Sequence, residues 1–150
     1  MEFGGMHKVS LIDYPGRICC TVFALGCNLR CPYCHNASLA LGEAGQGLVG
    51  EEEVLNHLAG RTGLLDGLCV SGGEPLLDSR LPGFLERVRL LGLQVKLDTN
   101  GTRPGQLRVL LDAGLVDYVA LDFKAPLHKY DCATGTSFPA EAFLQSLGLL

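Results

Sequence analysis

Three thiols stand close together in Cys27-Asn28-Leu29-Arg30-Cys31-Pro32-Tyr33-Cys34, spaced C-x3-C-x2-C. Thiols clustered this tightly in a chain without an export signal bind metals rather than pair with one another. A structural zinc site closes on four ligands, commonly two separated cysteine pairs, and a fully protein-held [4Fe–4S] cluster also takes four cysteines. A fourth is missing here: Cys69 and Cys132 lie far along the chain, and His35 follows Cys34 too directly to reach the same metal without strain. The spacing implies a cluster with three protein-bound irons and one iron left open to an outside ligand. An open coordination position marks a catalytic rather than a structural metal.

Three more polar clusters follow apolar runs: Gly72-Gly73-Glu74-Pro75, Asp98-Thr99-Asn100-Gly101 and Asp122-Phe123-Lys124. Paired glycines let a backbone approach a ligand with no Cβ in the way, and Glu74 can accept from an ammonium or fix its own loop. If the apolar runs are parallel strands, all four polar ends share one edge of a sheet, where α/β folds place their chemistry.

The elements needed to hold them are legible. Residues 18–25, 68–70, 93–97 and 116–121 read as strands, the first delivering the cysteine loop. Residues 51–58 form a helix with three glutamates in its first turn, at the positive end of the helix dipole. A second helix is capped by Asp78 or Ser79, takes Pro82 early, presents Leu81, Phe84, Leu85, Val88 and Leu91 as its apolar face, and stops at Gly92. Residues 104–113 and 140–147 complete the helices. Residues 1–10 read as a loose lead-in or short edge strand, 11–17 as a turn, and the glycine-punctuated 41–50 as a mobile surface loop. Strand alternating with helix, and no hairpin signal between them, predicts an α/β fold of four parallel βα units in a single domain over residues 1–150. Cys19 and Cys20 are neighbours on a strand and face opposite sides, so at least one is core; Cys69 reads as small apolar packing.

A net charge of -4 with no Lys/Arg block argues against a nucleic-acid surface. No apolar run is long enough to span a bilayer, and the N-terminus lacks the layout of a signal peptide. Seven cysteines in such a chain point to a reducing cytoplasm.

The cysteine spacing, with the aromatic Tyr33 just before the third thiol, is the signature of the radical S-adenosylmethionine (radical SAM) enzymes. The stretch Leu11-Ile12-Asp13-Tyr14-Pro15-Gly16 through Cys31-Pro32-Tyr33-Cys34-His35-Asn36 resembles one branch, the activating proteins of anaerobic ribonucleoside-triphosphate reductase, which are relatives of the pyruvate formate-lyase activating enzymes. The resemblance implies a partial TIM-like (β/α) barrel carrying a [4Fe–4S] cluster on Cys27, Cys31 and Cys34, with S-adenosylmethionine chelating the open iron. It assigns Gly72, Gly73 and Glu74 to the methionine amino group. Asp98, Thr99 and Asn100 fall to the ribose and carboxylate side, Asp122 and Lys124 to the next strand-end motif, and Tyr33, His35 and Asn36 to the border of the adenine. It also implies a monovalent cation held by Asp98 and Asp122, with backbone oxygens of Thr99 and Ala120. No catalytic residue is needed beyond the cluster ligands, because the cofactors carry the hard chemistry.

By the same resemblance the activity is reductive cleavage of S-adenosylmethionine and generation of a glycyl radical on a partner, the anaerobic reductase. Electrons come from a flavodoxin-like or ferredoxin-like donor, and neither nucleic acid nor membrane takes part. The chain departs from the family in offering four βα units where about six are usual, as a fragment of a barrel or a compact version of one. Two alternatives stand beside this reading. One keeps the chemistry and changes the substrate, to another glycyl-radical enzyme or to a small molecule as in 7-carboxy-7-deazaguanine synthase; the other is a non-catalytic iron–sulfur or zinc-binding fragment.

Overall fold

The computed structural model describes residues 1–43 and 47–150, so the loop expected over residues 41–50 lies partly outside the described residues. Six strands and six helices follow in the order β1 (Glu2–Ser10), β2 (Cys19–Ala24), α1 (Ala37–Ala40), β3 (Val49–Gly50), α2 (Glu51–Ala59), β4 (Gly67–Gly72), α3 (Leu81–Leu90), β5 (Gln94–Thr99), α4 (Pro104–Asp112), β6 (Tyr118–Leu121), α5 (Tyr130–Thr134) and α6 (Ala140–Leu147). They build one sheet in the order β3-β1-β2-β4-β5-β6. The run β2-β4-β5-β6 is parallel, giving the four expected βα units, with β1 antiparallel to both β2 and β3.

The N-terminal segment corrects the sequence reading. Residues 2–10 form an ordered nine-residue strand rather than a loose lead-in, flanked by the two-residue β3 only at Glu2 and Phe3 and at the sheet's edge beyond them. The chain reverses through Asp13-Tyr14-Pro15-Gly16, with Arg17 N donating to Tyr14 O at 3.1 Å and Gly16 at φ 70°. Pairing with β2 shifts register between Phe3 and Met6 and again between His7 and Ser10. Those shifts break the period-two alternation by which a strand is recognised. At the second helix, neither Asp78 nor Ser79 is the cap: Asp78 closes a turn by accepting Arg80 N at 2.9 Å, and α3 starts after Arg80 without a side-chain cap.

Alternation along the parallel strands sorts their side chains onto two faces. Cys20 and Val22 of β2, Leu68 and Val70 of β4, and Val95 and Leu97 of β5 are fully buried against α2, α3 and α4, which contribute Leu58, Leu81, Phe84, Leu85 and Leu107. Each such side chain contributes about 1.5–3 kcal/mol by leaving water. Cys19 and Cys69 lie on the opposite face, where Tyr14 from the reversing loop packs over them. Both Cys19 and Cys20 are therefore buried, on opposite sides.

A smaller core lies under the cysteine loop. Leu29 packs with Tyr130, Phe138 and Phe143, and Tyr130 stacks on Phe138 with ring centres 3.9 Å apart. The short helix α5, for which the sequence offers no periodic signal, thus supports the loop from behind. Arg30 N donates to Thr134 O at 2.7 Å, and Gly135 approaches so closely that an added Cβ would stand 2.3 Å from Arg30 O.

Candidate functional site

Cys27, Cys31 and Cys34 leave β2 on a loop whose path is set by its backbone. Gly26 turns it at φ 78°, Gly26 N and Cys27 N donate to Leu39 O and Ala40 O, and Cys34 N donates to Cys31 O at 3.1 Å. Arg30 closes the loop on itself, its guanidinium donating to the carbonyls of Cys27 and Leu29. All three cysteines line one cavity of about 70 Å³, together with Gly72, Gly73 and Asn100. Leu29 N and Asn100 Nδ2 donate to Cys27 Sγ at 3.4 and 3.7 Å. Burial pushes the Cys27 and Cys31 thiols up, with Lys124 pulling Cys31 partly back. Metal binding must displace the thiol protons.

A second cavity of about 540 Å³ adjoins the first and shares Cys31, Cys34, Gly72, Asp122 and Lys124 with it. That is the size of a small-molecule site. Tyr33, His35 and Asn36 border it on one side, Ser71, Lys96, Asp98 and Ala120 on the other. The ends of all four parallel strands therefore meet there, and nine of the fourteen residues singled out from the sequence line this second cavity or the thiols' own edge of it. Gly73 and Asn100 line only the smaller cavity, with Cys27.

Glu74 and Thr99 line neither cavity. Glu74 is 1% exposed and its carboxylate is fully engaged: Oε1 accepts Leu76 N at 3.1 Å and Thr99 Oγ1 at 2.8 Å, and Oε2 accepts Asn100 N at 2.7 Å. Of the two roles open to it, the structure places Glu74 in bracing the loop, where it ties the end of β4 to the end of β5. Burial raises its pKa, against those three hydrogen bonds. The glycines also have a packing reason within the protein. A Cβ on Gly72 would stand 2.7 Å from Ala24 N, and one on Gly73 would stand 2.0 Å from Gly26 O. What they permit is close approach to the base of the cysteine loop, sealed by Gly73 N donating to Ala24 O and Glu74 N to Gly26 O. The cysteine loop and the glycine turn are joined backbone to backbone.

Three residues absent from the sequence reading belong to the site. Asn28 and Thr102 form a closed set with Asn100: Asn100 Nδ2 donates to Asn28 Oδ1, Asn28 Nδ2 to Thr102 Oγ1, and Thr102 Oγ1 to Asn100 Oδ1, all within 3.0 Å. The set aims Asn100 at Cys27, and only folding brings positions 28 and 102 together. The third, Lys96, left a signal. Gln94, Lys96 and Asp98 alternate with Val95 and Leu97, which marks one polar face on a central strand.

The expected monovalent cation does not fit this donor set. Lys96 Nζ already donates to Asp98 Oδ1, and Lys124 Nζ to Asp122 Oδ2 at 2.7 Å. The Thr99 carbonyl accepts Asp122 N at 3.0 Å.

Comparison with known proteins bears on this geometry. The family description of the Radical SAM superfamily matches residues 21–149. This chain belongs to the radical SAM superfamily. A protein named as a glycyl-radical enzyme activating enzyme, from Methanocaldococcus jannaschii, is 39% identical over 127 residues, covering 84% of this chain and 51% of that protein. A 7-carboxy-7-deazaguanine synthase from Hyperthermus butylicus is 42% identical over 84 residues, 55% of this chain and 34% of the other. The anaerobic ribonucleoside-triphosphate reductase-activating protein of Escherichia coli is 31% identical over 91 residues, 59% of this chain and 58% of the other. The solved structure of QueE from Escherichia coli superposes with a TM-score of 0.52 at 19% identity, covering 67% of this chain and 52% of that one, and shows the same fold. The chain spans about half the length of the curated relatives it matches.

Radical SAM membership implies a [4Fe–4S] cluster and S-adenosylmethionine as cofactors. The residues present fit both. Three thiols, with no fourth cysteine beside them, surround one cavity that opens into a larger one. Among the described residues no three His, Cys, Asp or Glu side chains converge on a single-ion site.

Proposed function

We propose that this radical SAM chain is the cofactor-bearing core of an activating enzyme for a glycyl-radical enzyme, with anaerobic ribonucleoside-triphosphate reductase as the partner. The observation that carries the reading is the joining of the three-thiol cavity to the larger cavity across Cys31, Cys34 and Gly72. When bound, the reduced cluster and S-adenosylmethionine together supply reductive sulfonium cleavage and removal of a hydrogen atom from a substrate carbon.

The chain's own part is position and shielding. Cys27, Cys31 and Cys34 would hold three irons, and the donors from Leu29 N and Asn100 Nδ2 would spread the negative charge on Cys27. Gly72 and Gly73 lock the β4 turn against the cysteine loop, and Glu74 locks it to β5, so a molecule spanning the two cavities meets a preset wall. Lys96, Lys124 and His35 offer polar contacts to it, and Tyr33 and Asn36 flank the cysteine side. Among the described residues no helix covers the strand ends on the open face, so a large partner seated there would complete the exclusion of water. Free thiols at all seven cysteines suit a reducing cytoplasm, where a flavodoxin-like or ferredoxin-like donor would supply electrons.

Anaerobic reconstitution with iron and sulfide, followed by reduction and electron paramagnetic resonance with and without S-adenosylmethionine, tests the core of this. The expected result is a reduced-cluster signal that changes shape when S-adenosylmethionine is added. Zinc retention with no cluster would overturn it. Mixing the reduced protein with candidate glycyl-radical enzymes then tests the partner, since transfer leaves an oxygen-sensitive glycyl radical on the right one. The 42% identity to a 7-carboxy-7-deazaguanine synthase over 84 residues supports a second reading, a small-molecule substrate. It predicts S-adenosylmethionine cleavage coupled to a small molecule of the deazaguanine class and no radical on any protein.

A further inference from the structure

The larger cavity carries its own charge balance. Two carboxylates, Asp98 and Asp122, and two ammonium groups, Lys96 and Lys124, line it. They pair along each strand, Lys96 with Asp98 on β5 and Lys124 with Asp122 just beyond β6. Lys96 is the unusual member. It sits in a central strand, is 7% exposed, and has partners on two strands, donating to Asp98 and to Cys69 Sγ on β4 at 3.7 Å. Lysine is almost never buried this far unless paired. Asp13, from the reversing loop, adds a second acidic neighbour within reach of its field; Thr21 Oγ1 donates to Asp13 Oδ2 at 2.6 Å.

An ammonium is a compact unit charge with three donors. Placed against Asp98 it does what a bound sodium or potassium ion would do there: it neutralises the carboxylate and fixes its orientation. A free ion brought to the same carboxylate would face like charge a few ångströms away and would find the Thr99 carbonyl already engaged by Asp122 N. We propose that Lys96 is the built-in cation of this site, a positioning residue whose ammonium holds the place opposite Asp98 that a monovalent ion would otherwise take, so that the site works without one. The link to S-adenosylmethionine rests on the function proposed above; the ion claim itself rests only on the apoprotein.

The test therefore begins without cofactors. Sodium-23 line width and the thermal unfolding midpoint of the cluster-free protein are measured in sodium, potassium and choline chloride at equal ionic strength. The wild type should give the same midpoint in all three and no saturable broadening. In Lys96→Gln the freed Asp98 should recruit an ion, with saturable sodium broadening and a midpoint higher in sodium or potassium than in choline. Saturable binding by the wild type that Asp98→Asn removes would overturn the proposal, and that measurement stands even if Lys96→Gln does not fold. A folded Lys96→Gln that binds no ion would overturn it equally. A second arm measures S-adenosylmethionine affinity of the reconstituted protein in the same salts. The wild type should be indifferent to the cation, while Lys96→Gln should bind about tenfold more weakly in choline than in sodium or potassium, the scale of one lost charge-assisted contact. If the reconstituted wild type binds no S-adenosylmethionine in any salt, the proposed function fails while the ion result remains decided.

Discussion

Val95 and Leu97 of β5 are sealed among the helices, while Lys96 and Asp98, each one residue away, face the open side of the same sheet. The helix-covered face is a continuous apolar core from Phe3 to Leu115. The open face carries Cys19 with Thr21 along β2, Lys96 with Asp98 along β5, and Cys69 of β4 in contact with both Lys96 and Asp98. The first face is held by volume, so what matters there is size and shape. The second is held by pairing, because a polar group removed from water is costly unless its partners are in place. That condition is met: among the described residues Thr136 Oγ1 is the one buried side-chain polar atom without a partner. A single strand thus serves stability on one side and chemistry on the other, and mutations on its two sides should fail in different ways.

The sharpest break should come at the thiols. Cys27→Ala, Cys31→Ala or Cys34→Ala should each abolish cluster retention, from about four irons per chain to background by iron and sulfide assay. Cys69→Ala, on the same face but engaged with Lys96 and Asp98, should keep the cluster. The reverse pattern would remove the site assignment altogether.

Next in size is a contrast between neighbours. Leu97→Ala should cost about 2–5 kcal/mol of unfolding free energy in urea, as deletion of a fully buried aliphatic side chain does. Lys96→Met, which keeps the apolar stem and deletes the charge, should cost about 1–3 kcal/mol through the unpaired Asp98. A larger loss in Lys96→Met than in Leu97→Ala would reverse the expected order of the two faces.

A smaller effect should follow at the brace between the strands. Glu74→Gln keeps the shape but turns one acceptor oxygen into a donor among three donors, at a cost of about 1–3 kcal/mol. It should also weaken S-adenosylmethionine binding measured by calorimetry, although its side chain lines neither cavity. Unchanged affinity would confine Glu74 to stability.

The smallest effect concerns acid. Burial pushes the Asp13 pKa up, but hydrogen bonds from Thr21 and Ser10 outweigh it and leave it below the ordinary carboxylate value. A carboxyl depressed on folding contributes stability above its unfolded pKa of about 3.9, and that contribution is lost as pH falls through the lower folded value. Unfolding midpoints between about pH 5 and about pH 3 should therefore fall less steeply in Asp13→Asn than in the wild type. Identical slopes would leave Asp13 without a role in the open face.

By itself the sequence determined the three-thiol loop, the four polar strand ends and the parallel βα order, because each is written in local spacing or in the period of apolar residues. Tertiary structure decided the rest. β1 was hidden by register shifts that erase its alternation. The aromatic support of Tyr130 and Phe138, the Asn28–Thr102 contact and the true neighbours of Gly72 and Gly73 arise from segments far apart in the chain. The direction taken by Glu74 depends on which hydrogen-bond partners the end of β5 brings within about 3 Å. Periodicity reports which face a residue occupies; only the packed sheet settles what it touches there.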